Sequence, residues 1–167
     1  MTETDPARPH PAMPGVGVIA IAWHDGRVAL VLRANPPQAG HWGFPGGRVH
    51  WGEGLVDAAT RELAEETGLK VRADASPAPE PVAVLEVAEG AADRPDHHFV
   101  LVAIRLAVTG SAGLRAADDA RDAIWADPEN LPQPLCRDVE ALVTATRPAR
   151  RLPGYRVSHS GFFSRLR

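Results

Sequence analysis

Short apolar runs rich in β-branched residues alternate along this chain with two segments of helical period. Residues 16–23 (VGVIAIAW) and 27–33 (RVALVLR) read as strands, and His24, Asp25 and Gly26 between them signal a tight turn, so a buried hairpin is expected. Residues 34–40 (ANPPQAG) break regular structure, and the Gly/Pro-dense stretch 43–47 (GFPGG) follows almost at once. Between Gly54 and Gly68, Leu55, Val56, Ala59 and Leu63 recur at helical spacing, with Gly68 as the stop. Residues 81–87 and 99–108 predict two further strands separated by the polar stretch 89–98, and 123–126 predicts a short last strand. Residues 135–145, apolar at Leu135, Val139, Leu142 and Val143, predict a second helix ended by Thr146, Arg147 and Pro148. This order favours the α/β class, a mixed sheet with helices on its faces.

The length of 167 residues is that of one domain. Residues 14–146 carry the patterned chain, residues 1–13 read as a flexible leader, and residues 147–167 form an Arg-rich tail with six Arg and no acid. Hydrophobic residues at 44% and charged residues at 23% exclude disordered and fibrous classes. The N-terminus has no apolar signal core, and no apolar run approaches the ~18 residues of a membrane span, so a cytoplasmic location is expected. The single cysteine, Cys136, excludes an internal disulfide and a thiolate zinc cluster. The formal charge is −3, and removing the tail leaves 12 basic against 21 acidic residues. Duplex nucleic acid is therefore not the expected partner, whereas a site that gathers divalent cations suits the acidic body.

At about 100° per residue, Glu62, Glu65 and Glu66 fall within roughly 100° of helix surface. Val56, Ala59 and Leu63 occupy the adjoining arc, so packing that stripe on a sheet leaves three carboxylates crowded at the core edge. Oxygen donors of this kind suit Mg²⁺ or Mn²⁺. Taken alone, the triplet reads better as a solvated helix face. Its surroundings change that weighting. Gly47, Glu53, Arg61, Glu62, Leu63, Glu65, Glu66, Gly68 and Leu69 fit Gly-x5-Glu-x7-Arg-Glu-U-x-Glu-Glu-x-Gly-U, with U aliphatic. At average residue frequencies a chance match is on the order of one in 10⁹ per starting position.

That pattern is the Nudix box, and the chain resembles a Nudix hydrolase. The resemblance implies an α/β/α sandwich and Mg²⁺- or Mn²⁺-dependent hydrolysis of a nucleoside diphosphate linked to another group X. It also implies that Glu62, Glu65 and Glu66 are metal ligands, that one of them or a downstream acid is the base for water, and that Glu53 and Arg61 brace the loop against the helix. Gly46 and Gly47 allow a tight bend at which the Gly47 carbonyl can add a metal ligand. The chemistry agrees, since a diphosphate and carboxylates repel unless metal ions bridge them.

Further candidates stand outside the box. The stretch DDARDAIW resembles an acidic loop in which some Nudix subfamilies keep a further catalytic acid; Asp122 is the first choice and Asp119 the second. Arg33 and Arg48 are candidates for phosphate or ribose contact. Trp42, Phe44 and Trp51 are candidates for stacking on a base or walling the pocket, with core packing the simpler role for each. His97 and His98 are weaker candidates for a base or substrate contact. The loop at 40–47, the box and HHFVLV at 97–102 together resemble the ADP-ribose-pyrophosphatase-like branch, whose products are AMP and ribose 5-phosphate. The alternatives are a nucleoside triphosphate pyrophosphohydrolase that removes oxidised or non-standard nucleotides, and a non-catalytic nucleotide-binding or regulatory domain. The expected partner is a nucleotide; the tail leaves a homodimer open.

Overall fold

The first hairpin closes as its turn residues require. In a computed structural model of the chain, which describes residues 13–36, 38–75, 78–91, 94–110 and 113–148, β1 (Gly15–His24) and β2 (Arg27–Arg33) pair His24 opposite Arg27. The intervening Asp25 and Gly26 both take positive φ, 47° and 75°, the two-residue turn whose twist matches that of the flanking strands. The leader to residue 12 and the tail from residue 149 lie outside the described residues.

Two short strands follow, β3 (Trp42–Gly43) on β2 and β4 (Gly46–Arg48) on β1. The helix α1 (Leu55–Thr67) ends where Gly68 adopts φ 69° and donates its N–H to the Ala64 carbonyl. Strands β5 (Glu80–Ala91) and β6 (Arg94–Leu106) form a long antiparallel hairpin, and β6 lies parallel to β1. Strand β7 (Ala120–Ala126) pairs with β2, and α2 (Val139–Thr146) closes the described chain. The sheet order is β3-β2-β1-β6-β5, with β4 added on β1 and β7 on β2. It is a mixed sheet, as expected.

Two apolar cores lie on its two faces. Val18, Ala20, Ala22, Ile104 and Leu106 pack with Ala58, Ala59 and Leu63 of α1. The alternate positions, Ile21, Leu30 and Ala103, pack with Val139, Leu142 and Val143 of α2. One helix on each face makes the α/β/α sandwich. Among the described residues no helix is long and apolar enough to cross a membrane.

Four expectations change. The polar stretch at 89–98 is largely strand, because β5 and β6 stay paired from Glu80 opposite Arg105 to Ala91 opposite Arg94, and backbone pairing needs no apolar side chain. The last strand starts at Ala120, since it pairs along nearly all of β2. The second helix starts at Val139, because Leu135 bridges to Trp42 and is held in extended pairing. Leu55 also stands exposed at the start of α1, outside the buried stripe.

Candidate active site

Helix α1 carries its acidic face against the backbone of β4, and the contact depends on two missing Cβ atoms. A Cβ on Gly47 would overlap the carboxylate of Glu62, and one on Gly46 would overlap the Val18 carbonyl. Gly46 N–H instead donates to Glu66 Oε2 at 3.1 Å. Glu66 is 7% exposed. Burial pushes its pKa up from 4.5 to about 7; the Gly46 N–H and the Arg33 charge oppose this, while the charges of Glu62 and Asp119 add to it. A carboxylate set so deep beside two other acids is poised for a cation.

Arg61, one residue before Glu62, organises the rest. It grips Glu53 with two hydrogen bonds, Nε to Oε1 at 2.8 Å and Nη2 to Oε2 at 3.0 Å. Nη2 also reaches the Arg48 carbonyl at 3.0 Å, which ties the loop after β4 to the helix. Nη1 donates to Glu62 Oε1 at 2.8 Å and Glu65 Oε2 at 3.0 Å. The guanidinium, with the His50 N–H, holds the Glu53 carboxyl down at about 2, and its own proton is bound more tightly in return. The bracing expected of Glu53 and Arg61 is present. Among the described residues no three acidic or imidazole side chains stand at cation-coordinating spacing, and Glu62 and Glu65 face Arg61 Nη1 instead.

A cleft of about 660 Å³ opens beside these groups, within the range of small-molecule sites. Gly46, Gly47, Glu62, Glu65 and Glu66 form its acidic wall, and Arg33, Arg48 and Phe44 also line it. Asp119 lines it too, anchored by Asn35 Nδ2 at 2.8 Å, whereas Asp122 does not. Asp122 sits opposite Leu32 on β7, exposed, with Oδ1 accepting the neighbouring Ala123 N–H at 2.8 Å. The register of β7 against β2 shifts between Leu32 and Arg33, a displacement that residue spacing does not reveal. Of the two candidates, Asp119, the second choice, is the one that lines the cleft.

The tryptophans are corrected as well. Trp42, half-buried, packs against the core on the α2 face and does not line the cleft, its backbone held between Leu32 on one side and Pro134 and Cys136 on the other. Trp51 is fully exposed in the turn before α1 and does not line the cleft. His97 reaches the cleft rim, while His98 Nε2 meets Glu86 Oε1 at 2.8 Å across the hairpin. Lining residues that sequence reasoning missed include Asp118, Leu85, Val87, Phe99, Leu101 and Cys136. The signal available for Phe99 and Leu101 was their alternation along β6 against the glycines of β1.

A family model for the NUDIX domain matches residues 11–145. An ADP-ribose pyrophosphatase of Methanocaldococcus jannaschii is 35% identical over 130 residues, which are 78% of this chain and 71% of that protein. Among solved structures, a MutT NUDIX hydrolase from Burkholderia pseudomallei superposes with a TM-score of 0.68 at 28% identity, over 80% of this chain and 98% of that one. The NUDIX domain of Shewanella oneidensis NrtR, complexed with ADP ribose, superposes with a TM-score of 0.61 at 26% identity, over 81% and 87% of the two chains.

Proposed function

The chain belongs to the Nudix family of hydrolases, and on that premise we propose that it hydrolyses the diphosphate of ADP-ribose or a related nucleotide sugar to AMP and a sugar phosphate. The observation that carries the reading is the seating of Glu62 and Glu66 against the Cβ-free backbone of Gly46 and Gly47, on one wall of a cleft whose other walls combine apolar side chains with Arg33, Arg48 and Asp119. Similarity to an ADP-ribose pyrophosphatase and to a domain complexed with ADP ribose supports the substrate class.

The donors present fit a hard divalent ion, Mg²⁺ or Mn²⁺: all are oxygens, and burial leaves Glu66 in want of a counter-charge. Glu62, Glu65, Glu66 and the Gly47 carbonyl would hold it. When bound, the ion supplies charge neutralisation to the diphosphate and acidifies water. To hold the ion, Glu62 and Glu65 would give up their hydrogen bonds with Arg61 Nη1, while Glu53 would keep Arg61 anchored by its other nitrogens. Arg33, which lines the cleft, would hold a phosphoryl oxygen. Asp119, which lines the cleft near Glu66, would orient the attacking water or take its proton.

The test is turnover by the purified full chain, with Mg²⁺ and with Mn²⁺, of ADP-ribose, other nucleotide sugars, dinucleotides, and normal and oxidised nucleoside triphosphates, with products resolved by chromatography. AMP with ribose 5-phosphate supports the reading. Monophosphate with pyrophosphate replaces it with triphosphate hydrolysis, and nucleotide binding without turnover replaces it with a regulatory role.

A further inference from the structure

We propose that Phe99, lying on the Cβ-free backbone of Gly15, is the ring on which the substrate's nucleobase stacks, and that Gly15 is a positioning residue for that ring. The proposal rests on the nucleoside-diphosphate reading above and deepens it by naming the residue that reads the base.

The parallel pairing of β1 with β6 sets Gly15 beside Phe99 and Gly17 beside Leu101. Positions two apart share a face, and this face is the cleft's. At both positions the neighbouring β6 side chain fills the space that a β1 side chain would take. A Cβ on Gly15 would lie 2.5 Å from Phe99 Cε1 and 2.8 Å from Cδ1, and one on Gly17 would lie 2.8 Å from Leu101 Cδ2. The Phe99 ring therefore leans across β1 toward β4.

What covers the ring is an exposed cation. The Arg48 guanidinium carbon stands 5.0 Å from the ring centroid, and Arg48 has no carboxylate partner among the described residues. Such an arm is readily moved aside or made to sandwich an inserted plane. Leu85, Val87 and Leu101 continue the apolar wall, with His97 at the rim. An apolar wall with an accessible π-face and a cation above it takes a planar aromatic; a pentose phosphate requires polar partners. The position also fits. Gly47 pairs with Val18, three residues along β1 from Gly15, or about 10 Å. A cation-held phosphate, one pentose and the base itself together span such a gap.

The test is product inhibition of ADP-ribose hydrolysis by each half of the substrate separately, AMP or ribose 5-phosphate. It uses the full chain as wild type, Phe99→Leu, Gly15→Ala and the double variant. Phe99→Leu is expected to weaken inhibition by AMP about tenfold, to leave inhibition by ribose 5-phosphate unchanged, and to raise KM by more than it lowers kcat. Gly15→Ala is expected to weaken AMP inhibition in the wild-type background and to add nothing in the Phe99→Leu background, where no ring remains to displace. Should Phe99→Leu not fold, Phe99→Trp keeps a stacking face and is expected to bind AMP at least as tightly as wild type. AMP inhibition indifferent to Phe99→Leu, or a loss confined to ribose 5-phosphate, overturns the proposal. A chain that turns over no ADP-ribose fails the substrate panel before any variant is made, so the two failures are distinct.

Discussion

Glu66→Gln should make the metal-free protein more stable at neutral pH while disabling it. The carboxyl of Glu66 is raised from 4.5 to about 7 chiefly because it is buried. Between those two pH values the folded protein holds a proton that the unfolded chain has released, so stability falls as pH rises through that window. The cost is absent below about 4.5 and complete above about 7. At about 1.4 kcal/mol per pH unit, it amounts to about 3 kcal/mol. Gln has the same shape, keeps an oxygen to accept the Gly46 N–H now bonded to Glu66 Oε2, and never ionises. The assay is urea unfolding at 25 °C in EDTA, from pH 4 to 9, for wild type and variant. The stability of Glu66→Gln relative to wild type should climb by about 3 kcal/mol between pH 4.5 and 8 and then level off. Groups common to both proteins cancel in that difference. Mg²⁺ or Mn²⁺ should restore wild type and leave the variant little changed, because only wild type gains a full ligand set. A difference that stays flat across the range refutes the reasoning, since it means that Glu66 ionises as freely in the folded protein as in the unfolded chain.

Gly47→Ala should cost turnover on the order of a hundredfold, because its Cβ would displace the Glu62 carboxylate; a circular-dichroism melt should show the fold retained, and wild-type kcat sinks the placement of Glu62. Asp119→Asn should lower kcat by about 10²-fold or more, whereas Asp122→Asn, outside the cleft, should stay within about twofold; parallel steady-state kinetics decide, and the reverse ranking refutes the choice. Glu53, held at about 2 by Arg61, contributes stability that is present above its ordinary value of 4.5 and lost as pH falls toward 2. Glu53→Gln should therefore flatten the acid limb of a thermal-midpoint profile, and an unchanged limb shows that the ion pair carries no linkage.

Much of this protein is local, and what is local was legible in its sequence. The turn at Asp25 and Gly26 and the end of α1 at Gly68 each follow from residues close together in the chain, whereas the pairing of Glu53 with Arg61 was implied by the box pattern. Turn geometry, capping and helical spacing settle such features before any tertiary contact forms. The same spacing set three glutamates on one face of α1, and the box pattern named their chemistry. The long-range pairings were beyond it. Whether Asp119 or Asp122 meets the cleft depends on a register shift between β2 and β7, some ninety residues apart. Whether Trp42 or Phe99 offers its ring depends on which strand lies beside each: Trp42 is held against residues 134–136, while Phe99 lies against a glycine on β1. A strand pattern states that a residue will alternate between faces but not which partner stands opposite, and a one-residue slip reverses every face. The acidic face was thus written along one helix, whereas the apolar wall of the cleft was assembled across the sheet by pairing alone.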